Sequence, residues 1–489
     1  MPASHPNLIF VFADQLQARA LGCHGSAQAV TPNIDAFSRQ SLMFTQAIAN
    51  SPVCTAYRAT LMTGKYTTSH GMVINELRMH PGQRCFAHVL TEAGFDTAYI
   101  GKWHLYANQL GDHRDPRNSF VPPGPHRLGF DGEWKAYNFN HLNYSPDAFW
   151  HGDTPEPQHY GEGVFESDAQ TDFAIDFVRR HAHDGTNPYA LFLSWGPPHD
   201  PWDADNVPAP YWRMFADADF PNPPNYRAYN DTPYCDDWAR LTDGDRERLP
   251  EWRRGYHAQV ASIDAAFGRL LAAIEGADAA RDTIVVFTSD HGEMFGAHGR
   301  RAKNIFYEEA CHVPLMVRWT GQIAPGRSEA CISAVDLMPS LLGLIGLACP
   351  DGVEGDDLSG FMRGQDAAAP EDALMQICGA TAAWEDGHEW RALRDARYTY
   401  AVYRRDGAEL LFDRRLDPYQ LRNLIGDPEY IDVHGRLRAR MLARMEALSD
   451  TFEASSHYRD TWTDGARRIV RSATRDFGPQ PAAAPSAAS

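Results

Sequence analysis

Short apolar runs at residues 8–12, 97–100, 190–195 and 283–288 punctuate this chain. A run of this length bounded by polar positions is the pattern of a strand buried on both faces, whereas strict alternation marks a strand with one wet face. Between the runs, apolar residues recur at helical spacing. Tyr256, Val260, Ile263, Phe267, Leu270, Leu271 and Ile274 fall on one stripe, and Phe173, Phe177 and Val178 on another. Alternating strands and helices predict an α/β protein with a mostly parallel sheet sandwiched by helices. Residues 107–160 and 200–250 follow neither period. They are rich in Pro, Asn, Asp, His and Trp, and this aromatic content predicts long ordered loops rather than featureless linkers.

The texture changes near residue 375. Runs at 390–393, 398–403 and 410–412 predict strands of a smaller antiparallel sheet, and a helical pattern follows over roughly 431–455. The expected division is a catalytic α/β domain over 1–375, an α+β subdomain over 376–475, and a disordered Pro/Ala/Ser tail over 476–489. No internal repeat is present.

Composition narrows the class. With 489 residues the chain can bury a large core. Its formal charge is −19, from 45 Lys and Arg against 64 Asp and Glu. That excess opposes nonspecific binding to nucleic acid or an acidic membrane, so an anionic substrate must be drawn by a local basic pocket. Eight cysteines, at 23, 54, 85, 235, 311, 331, 349 and 378, form no C-x-x-C pair, which argues against a zinc or dithiol motif. Free buried thiols are the expectation. The start MPASHPNLIFVFAD has neither a basic n-region nor a small-residue cleavage site, and no apolar stretch approaches the ~18 residues of a membrane span. These features predict a cytoplasmic protein.

Each buried run ends in polar chemistry. LIFVF runs into Ala13-Asp14-Gln15, and DTAYI into Gly101-Lys102-Trp103-His104. ALFLSW runs into Gly196-Pro197-Pro198-His199-Asp200, and TIVVFTS into Asp290-His291-Gly292-Glu293. In open α/β sheets, ligands collect beyond the carboxyl ends of strands. Singly, each of these residues would pass for a turn cap or a loop histidine. Together they outline one site. Asp14, Asp290 and His291 offer two carboxylates and an imidazole to a divalent cation.

The segment Ser51-Pro-Val-Cys-Thr-Ala-Tyr-Arg-Ala-Thr-Leu-Met-Thr-Gly-Lys65 places Cys54 four residues before Arg58, with a Thr63-Gly64 turn after it. A cysteine beside an arginine is compatible with a simple thiolate nucleophile. The pattern as a whole resembles the maturation and active-site signature of type I sulfatases, Cys-x-Pro-x-Arg followed by Thr-Gly. Ala56 stands where that family usually has proline. All four strand-end motifs also resemble sulfatase motifs, and LLFDRRLDPYQLRNL resembles the closing hairpin of the sulfatase C-terminal subdomain. The resemblance covers residues 7 to about 425.

That resemblance implies an alkaline-phosphatase-like fold and a sulfuric ester hydrolase acting on a small sulfated substrate. It implies that a formylglycine-generating or sulfatase-maturing enzyme oxidises Cys54 to formylglycine, whose hydrate attacks sulfur. It implies one divalent cation, calcium with magnesium or manganese as alternatives, held by Asp14, Asp290, His291 and modified Cys54. Many sulfatases carry an aspartate where this chain has Gln15, an amide that can offer oxygen but no charge. Arg58 would orient the hydrate, and Lys102 and His104 would contact sulfate and hydrate, with His104 driving sulfate expulsion. His199 and Lys303, the latter flanked by Arg300 and Arg301, would hold sulfate and serve the leaving group. Asn75 reads as structural or substrate-touching. Substrate choice is expected from loops 107–160 and 200–250 and from residues 384–390. Three alternatives remain: a phosphonate monoester or phosphodiester hydrolase of the same superfamily, against which the Lys102/His104 pair argues; an inactive binder of sulfated ligands with unconverted Cys54; and a conventional cysteine hydrolase, whose His/Asn partners have no signature here. Convergence of residues 14, 54, 102, 104, 199, 290 and 291 is the structural test.

Overall fold

The computed structural model of the chain describes residues 5–75, 77–107, 115–184, 186–277 and 282–461. The tail expected to be disordered, 476–489, and part of the first expected loop, 108–114, lie outside the described residues.

An eight-stranded sheet forms the centre. In spatial order it runs Gly326–Ser328, Leu42–Phe44, Leu315–Arg318, Thr283–Ser289, Asn7–Ala13, Tyr189–Trp195, Asp96–Lys102 and Glu133–Tyr137. Leu315–Arg318 is antiparallel to both neighbours and every other pairing is parallel. Along Asn7–Ala13, Leu8, Phe10 and Phe12 enter one apolar layer, while Ile9, Val11 and Ala13 enter the other. This period of two, buried on both sides, is why the run reads as continuously apolar. The first layer takes Leu61 and Met62 from helix Cys54–Thr63, and Leu341 and Leu342 from helix Ala334–Ile345. The second takes Val178 from helix Glu166–Asp184, and Val260, Ile263 and Phe267 from helix Asp243–Gly276.

Glu133–Tyr137 joins the sheet edge from within residues 107–160, read above as loop. Helix Asp243–Gly276 likewise begins inside residues 200–250. Pro250 hides that start, because proline normally breaks a helix interior. A capping box sets it instead: Thr242 Oγ1 accepts the Asp245 amide at 3.1 Å, and Asp245 Oδ2 accepts the Thr242 amide at 2.8 Å.

A four-stranded antiparallel sheet follows, Asp372–Ile377, Trp390–Asp395, Tyr398–Tyr403 and Glu409–Asp413 in sequence order. Its first strand was not foreseen. One face, with Met375, Trp390, Ala392 and Phe412, packs on Val53, Ala56, Ile305 and Phe306 of the large unit. The opposite face, with Leu374, Leu393 and Leu411, packs on Leu437, Met441 and Met445 of helix Ile431–Ala447. That helix stops short of the expected 455. Ser449 adopts a left-handed φ of 52°, and Arg391 holds the following Asp450 carboxylate at 2.8 Å, which fixes the turn.

Candidate active site

The sheet register aligns the candidate residues. Ala13 pairs with Trp195 on one side and Ser289 on the other, and Gly101 pairs with Ser194. Asp14, Lys102, the 196–199 segment and Asp290 therefore leave the same sheet edge at nearly one level. The close fit demands glycine at two points. A Cβ on Gly101 would sit 2.0 Å from the Ser194 carbonyl oxygen, and one on Gly196 would sit 2.2 Å from Glu166 Oε1.

Helix Cys54–Thr63 points its first residue, Cys54, at this edge. Every residue of the helix is buried, because the sheet, helix Ala334–Ile345 and the C-terminal sheet enclose it. Asn75 Oδ1 accepts the Thr55 amide at 3.2 Å and satisfies one free donor at the helix start. The positive helix end favours anionic chemistry at residue 54.

Ligand atoms of Asp14, Cys54, Asp290 and His291 all lie within 4.8 Å of one another, and all four residues are buried. Cys54 Sγ is 3.0 Å from His291 Nε2 and 3.8 Å from Asp14 Oδ1. Arg58, one turn after Cys54, donates Nη2 to Asp14 at 2.9 Å and to Asp290 at 3.1 Å. Its Nη1 bonds the Lys102 carbonyl at 2.6 Å and Ser194 Oγ at 2.8 Å. Lys102 Nζ reaches Asp14 Oδ2 at 2.7 Å. His104 is buried with a left-handed φ of 55° and hydrogen-bonds the Cys54 side chain.

The electrostatics follow from this packing. Burial and Cys54 push the Asp14 carboxyl up, but Lys102, His199 and Arg58 outweigh them and hold it well below the usual carboxylate range. Burial and the Asp14 charge raise Asp290. Burial also opposes a thiolate at Cys54, yet Lys303, Lys102 and His291 together hold its pKa well below that of a free thiol. Arg58 and Lys102 together match the two carboxylate charges, but both lean on Asp14, and Asp290, with only Arg58 of the two beside it, keeps a raised carboxyl.

Above this floor, Lys303 Nζ lies 3.0 Å from His199 Nε2 and 2.7 Å from Gln15 Oε1. Gln15 Nε2 in turn donates to Glu293 at 2.8 Å. The Gln15 amide is engaged by Lys303 and Glu293. His199 Nδ1 sits 3.0 Å from Asp200 Oδ1. Burial and Lys303 press the His199 pKa down, but Asp200 and Asp14 prevail and raise it to about 9. These groups open into a cavity of about 700 Å³ lined by His141, Trp238, Trp252 and Arg301 among others, a size that suits a sugar or aryl ligand.

All nine residues singled out as catalytic or metal-binding meet here: Asp14, Cys54, Arg58, Lys102, His104, His199, Asp290, His291 and Lys303. Asn75 both lines the cavity and caps the helix. Of residues 384–390, Trp390 is buried at the interface, donating its indole N–H to the Asn304 carbonyl at 3.3 Å, so it does not face a ligand. Residues 139–142 and 200–206 supply much of the wall instead. Sequence reasoning passed over Ser194, His141 and Glu293. Ser194 lies within the apolar run as its one hydroxyl, which was a usable signal. His141 sits in an aperiodic loop and offered none.

Comparison with known proteins gives the class. A model of the sulfatase family matches residues 6–347, and a model of the N-sulphoglucosamine sulphohydrolase C-terminal region matches residues 296–447. The chain belongs to the sulfatase family. It is a sulfuric ester hydrolase on an alkaline-phosphatase-like fold. It is 33% identical to an ulvan-active sulfatase of Formosa agariphila over 93% of this chain and 83% of that protein. The structure of yidJ from Bacteroides fragilis superposes with a TM-score of 0.80 at 28% identity, covering 93% of this chain and 97% of the other. A phosphonate monoester hydrolase of Agrobacterium radiobacter superposes with a TM-score of 0.70 at 25% identity, covering 91% and 96%.

Proposed function

We propose that the protein hydrolyses a carbohydrate sulfate monoester, using residue 54 in its formylglycine form. The observation that carries this reading is the position of Cys54. It begins a helix, faces two carboxylates and an imidazole, and has Arg58, Lys102, His199 and Lys303 around it. The donor set fits one divalent cation. Asp14, Asp290 and His291 bring two oxygens and a nitrogen to one focus beside Cys54, all four residues being buried. An oxygen at residue 54 would complete an oxygen-rich set, which favours calcium. When bound, that cation would lower the pKa of the nucleophilic oxygen at residue 54.

The chain's own residues take the remaining roles. Arg58 fixes the two carboxylates and keeps the helix start in place. Lys102 places a cation beside Asp14, where sulfuryl oxygens gather charge. His104, hydrogen-bonded to residue 54, takes a proton from it as sulfate departs. His199 and Lys303 supply a proton to the leaving alcohol. The cavity walls, with Trp238 and Trp252, suit a sugar ring. The ulvan-active relative supports a carbohydrate substrate. Maturation by a formylglycine-generating or sulfatase-maturing enzyme, the division near residue 375 and a cytoplasmic location belong to the same proposal. Among the described residues, no helix is long and apolar enough to cross a membrane.

Intact-mass analysis tests the nucleophile directly, because thiol-to-aldehyde conversion at residue 54 changes the mass and activity should scale with the converted fraction. Chelation followed by calcium, magnesium or manganese add-back should abolish and restore hydrolysis of sulfated monosaccharides. Undiminished activity after exhaustive chelation, with no metal by elemental analysis, overturns the cation.

A further inference from the structure

We propose that Asp200 is a positioning residue that fixes the tautomer of His199, so that a single proton is held between His199 and Lys303 and delivered to the leaving group. This rests on the sulfatase reading above and refines it.

Three contacts define the arrangement. His199 Nδ1 lies 3.0 Å from Asp200 Oδ1 and 3.3 Å from the Asp200 carbonyl oxygen. His141 Nδ1 lies 3.0 Å from that same carbonyl oxygen and 4.0 Å from Asp200 Oδ2. On the far side of His199, Nε2 meets Lys303 Nζ at 3.0 Å. A carbonyl oxygen only accepts, so His141 Nδ1 carries a hydrogen and takes one lone pair of the Asp200 carbonyl, leaving His199 a longer 3.3 Å approach to that oxygen and a 3.0 Å approach to the charged carboxylate. The Asp200 carboxylate is then the better partner for His199. It accepts from Nδ1–H, and a hydrogen is fixed on that nitrogen.

The consequence falls on the other nitrogen. Nε2 and the Lys303 amine cannot both donate into one 3.0 Å contact, so one proton lies between them. Without the carboxylate, His199 can place its hydrogen on Nε2, and two donors then face each other. The proton route is lost although both residues remain. When the S–O bond to the alcohol breaks, the ester oxygen takes the shared proton, and the pair regains one from water. The frame around His199 is otherwise rigid. The His141 ring packs 4.5 Å from the His199 ring, and Asn143 Nδ2 donates to the His199 carbonyl at 3.0 Å.

Leaving-group dependence separates this role from a structural one. An alcohol that leaves readily as its anion needs no proton, whereas a sugar hydroxyl does. Asp200→Asn and Asp200→Ala should lose about 3-fold or less in kcat/KM with nitrophenyl sulfate, yet on the order of 10²-fold with phenyl sulfate or a sulfated monosaccharide. His199→Asn should show the same steepened dependence, and adding Asp200→Asn to it should steepen it no further. An equal loss across the series, or no loss, overturns the proposal. A readout independent of maturation accompanies the kinetics. Nitrogen-labelled histidine spectra, recorded above the His199 pKa of about 9 where the ring is neutral, should show His199 hydrogenated at Nδ1 in the parent protein and redistributed toward Nε2 in Asp200→Ala. An unchanged tautomer in that variant also overturns it. If the parent protein hydrolyses no sulfate ester but the spectra behave as described, the catalytic reading fails while the tautomer assignment stands.

Discussion

The floor of the cavity and its wall obey different physics. Asp14, Cys54, Arg58, Lys102, Asp290 and His291 are each at most 1% exposed. The wall includes half-buried Trp238 and Trp252 and the exposed Arg248. Floor charges face one another across short contacts and are shielded from bulk solvent by their burial. Wall charges, such as Arg248 with Asp203, pair at the edge of water. Charges removed from water must be balanced group by group, whereas exposed pairs are screened and individually dispensable. In the proposed reaction the floor carries the chemistry and the wall the choice of substrate.

The largest expected effect belongs to the floor. Cys54→Ala should lower multiple-turnover hydrolysis by a factor on the order of 10⁴ or more, as loss of a nucleophile does elsewhere, with little change in the thermal transition. Near-parental turnover in this variant would place the chemistry elsewhere and break the comparison at once.

Arg58 sharpens it energetically. Its guanidinium is buried between Asp14 and Asp290. Arg58→Ala should cost about 3–5 kcal/mol in urea unfolding, because two buried carboxylates lose their shared partner. Arg248→Ala, on the wall, should cost within about 1 kcal/mol. Equal costs would mean that the floor is wetter than its burial implies.

Glu166 carries the third test. It lies beneath the floor, where Oε1 accepts the Tyr137 hydroxyl at 2.9 Å. Burial outweighs that bond and Lys102, and raises its carboxyl to about 7. The folded state therefore binds this proton more tightly than the unfolded chain, whose value is near 4.5. The stability it contributes is complete below the unfolded value and is lost as pH rises through the folded one, by roughly 3 kcal/mol. Glu166→Gln keeps the shape and cannot ionise. Its melting temperature relative to the parent should rise between pH 5 and pH 8, each value chosen to bracket that transition. A flat difference would count against a dry layer under the site.

The same contrast explains what the sequence disclosed. The floor was legible because four doubly buried strands announce themselves as apolar runs, and their ends must carry whatever chemistry the sheet supports. The start of helix Asp243–Gly276 was hidden by Pro250, and strands Leu42–Phe44 and Gly326–Ser328 are too short to show a period. Glu133–Tyr137 is an edge strand with two half-buried positions, set within aromatic loop sequence. The Asp200–His199–His141 arrangement was beyond reach for another reason. It joins residues that are adjacent in sequence to one from a separate loop, and only the folded backbone brings that loop across. Gln15 illustrates the limit at a single residue. Its place in the motif suggested a possible metal ligand, but the side chain turns to Lys303 and Glu293.

The smallest expected effect tests whether the wall binds without participating. Trp252 lines the cavity from helix Asp243–Gly276, with Arg248 over its ring at 5.0 Å and Trp202 at 5.7 Å. A helix-borne indole is held more firmly than one on a loop, so it can offer a sugar a flat apolar face at little entropic cost. That face contacts substrate equally in the ground and transition states if the ring sits away from the breaking bond. Trp252→Leu keeps an apolar side chain against Trp202 but removes the flat face. The expected loss is about 1 kcal/mol of aromatic contact, read as a roughly 5-fold rise in KM with kcat unchanged. Nitrophenyl sulfate, which is smaller than a sugar ring with its substituents, should show a lesser rise than a sulfated monosaccharide. A fall in kcat without a change in KM would make Trp252 part of the reacting machinery, and the distinction between floor and wall would then fail at that residue.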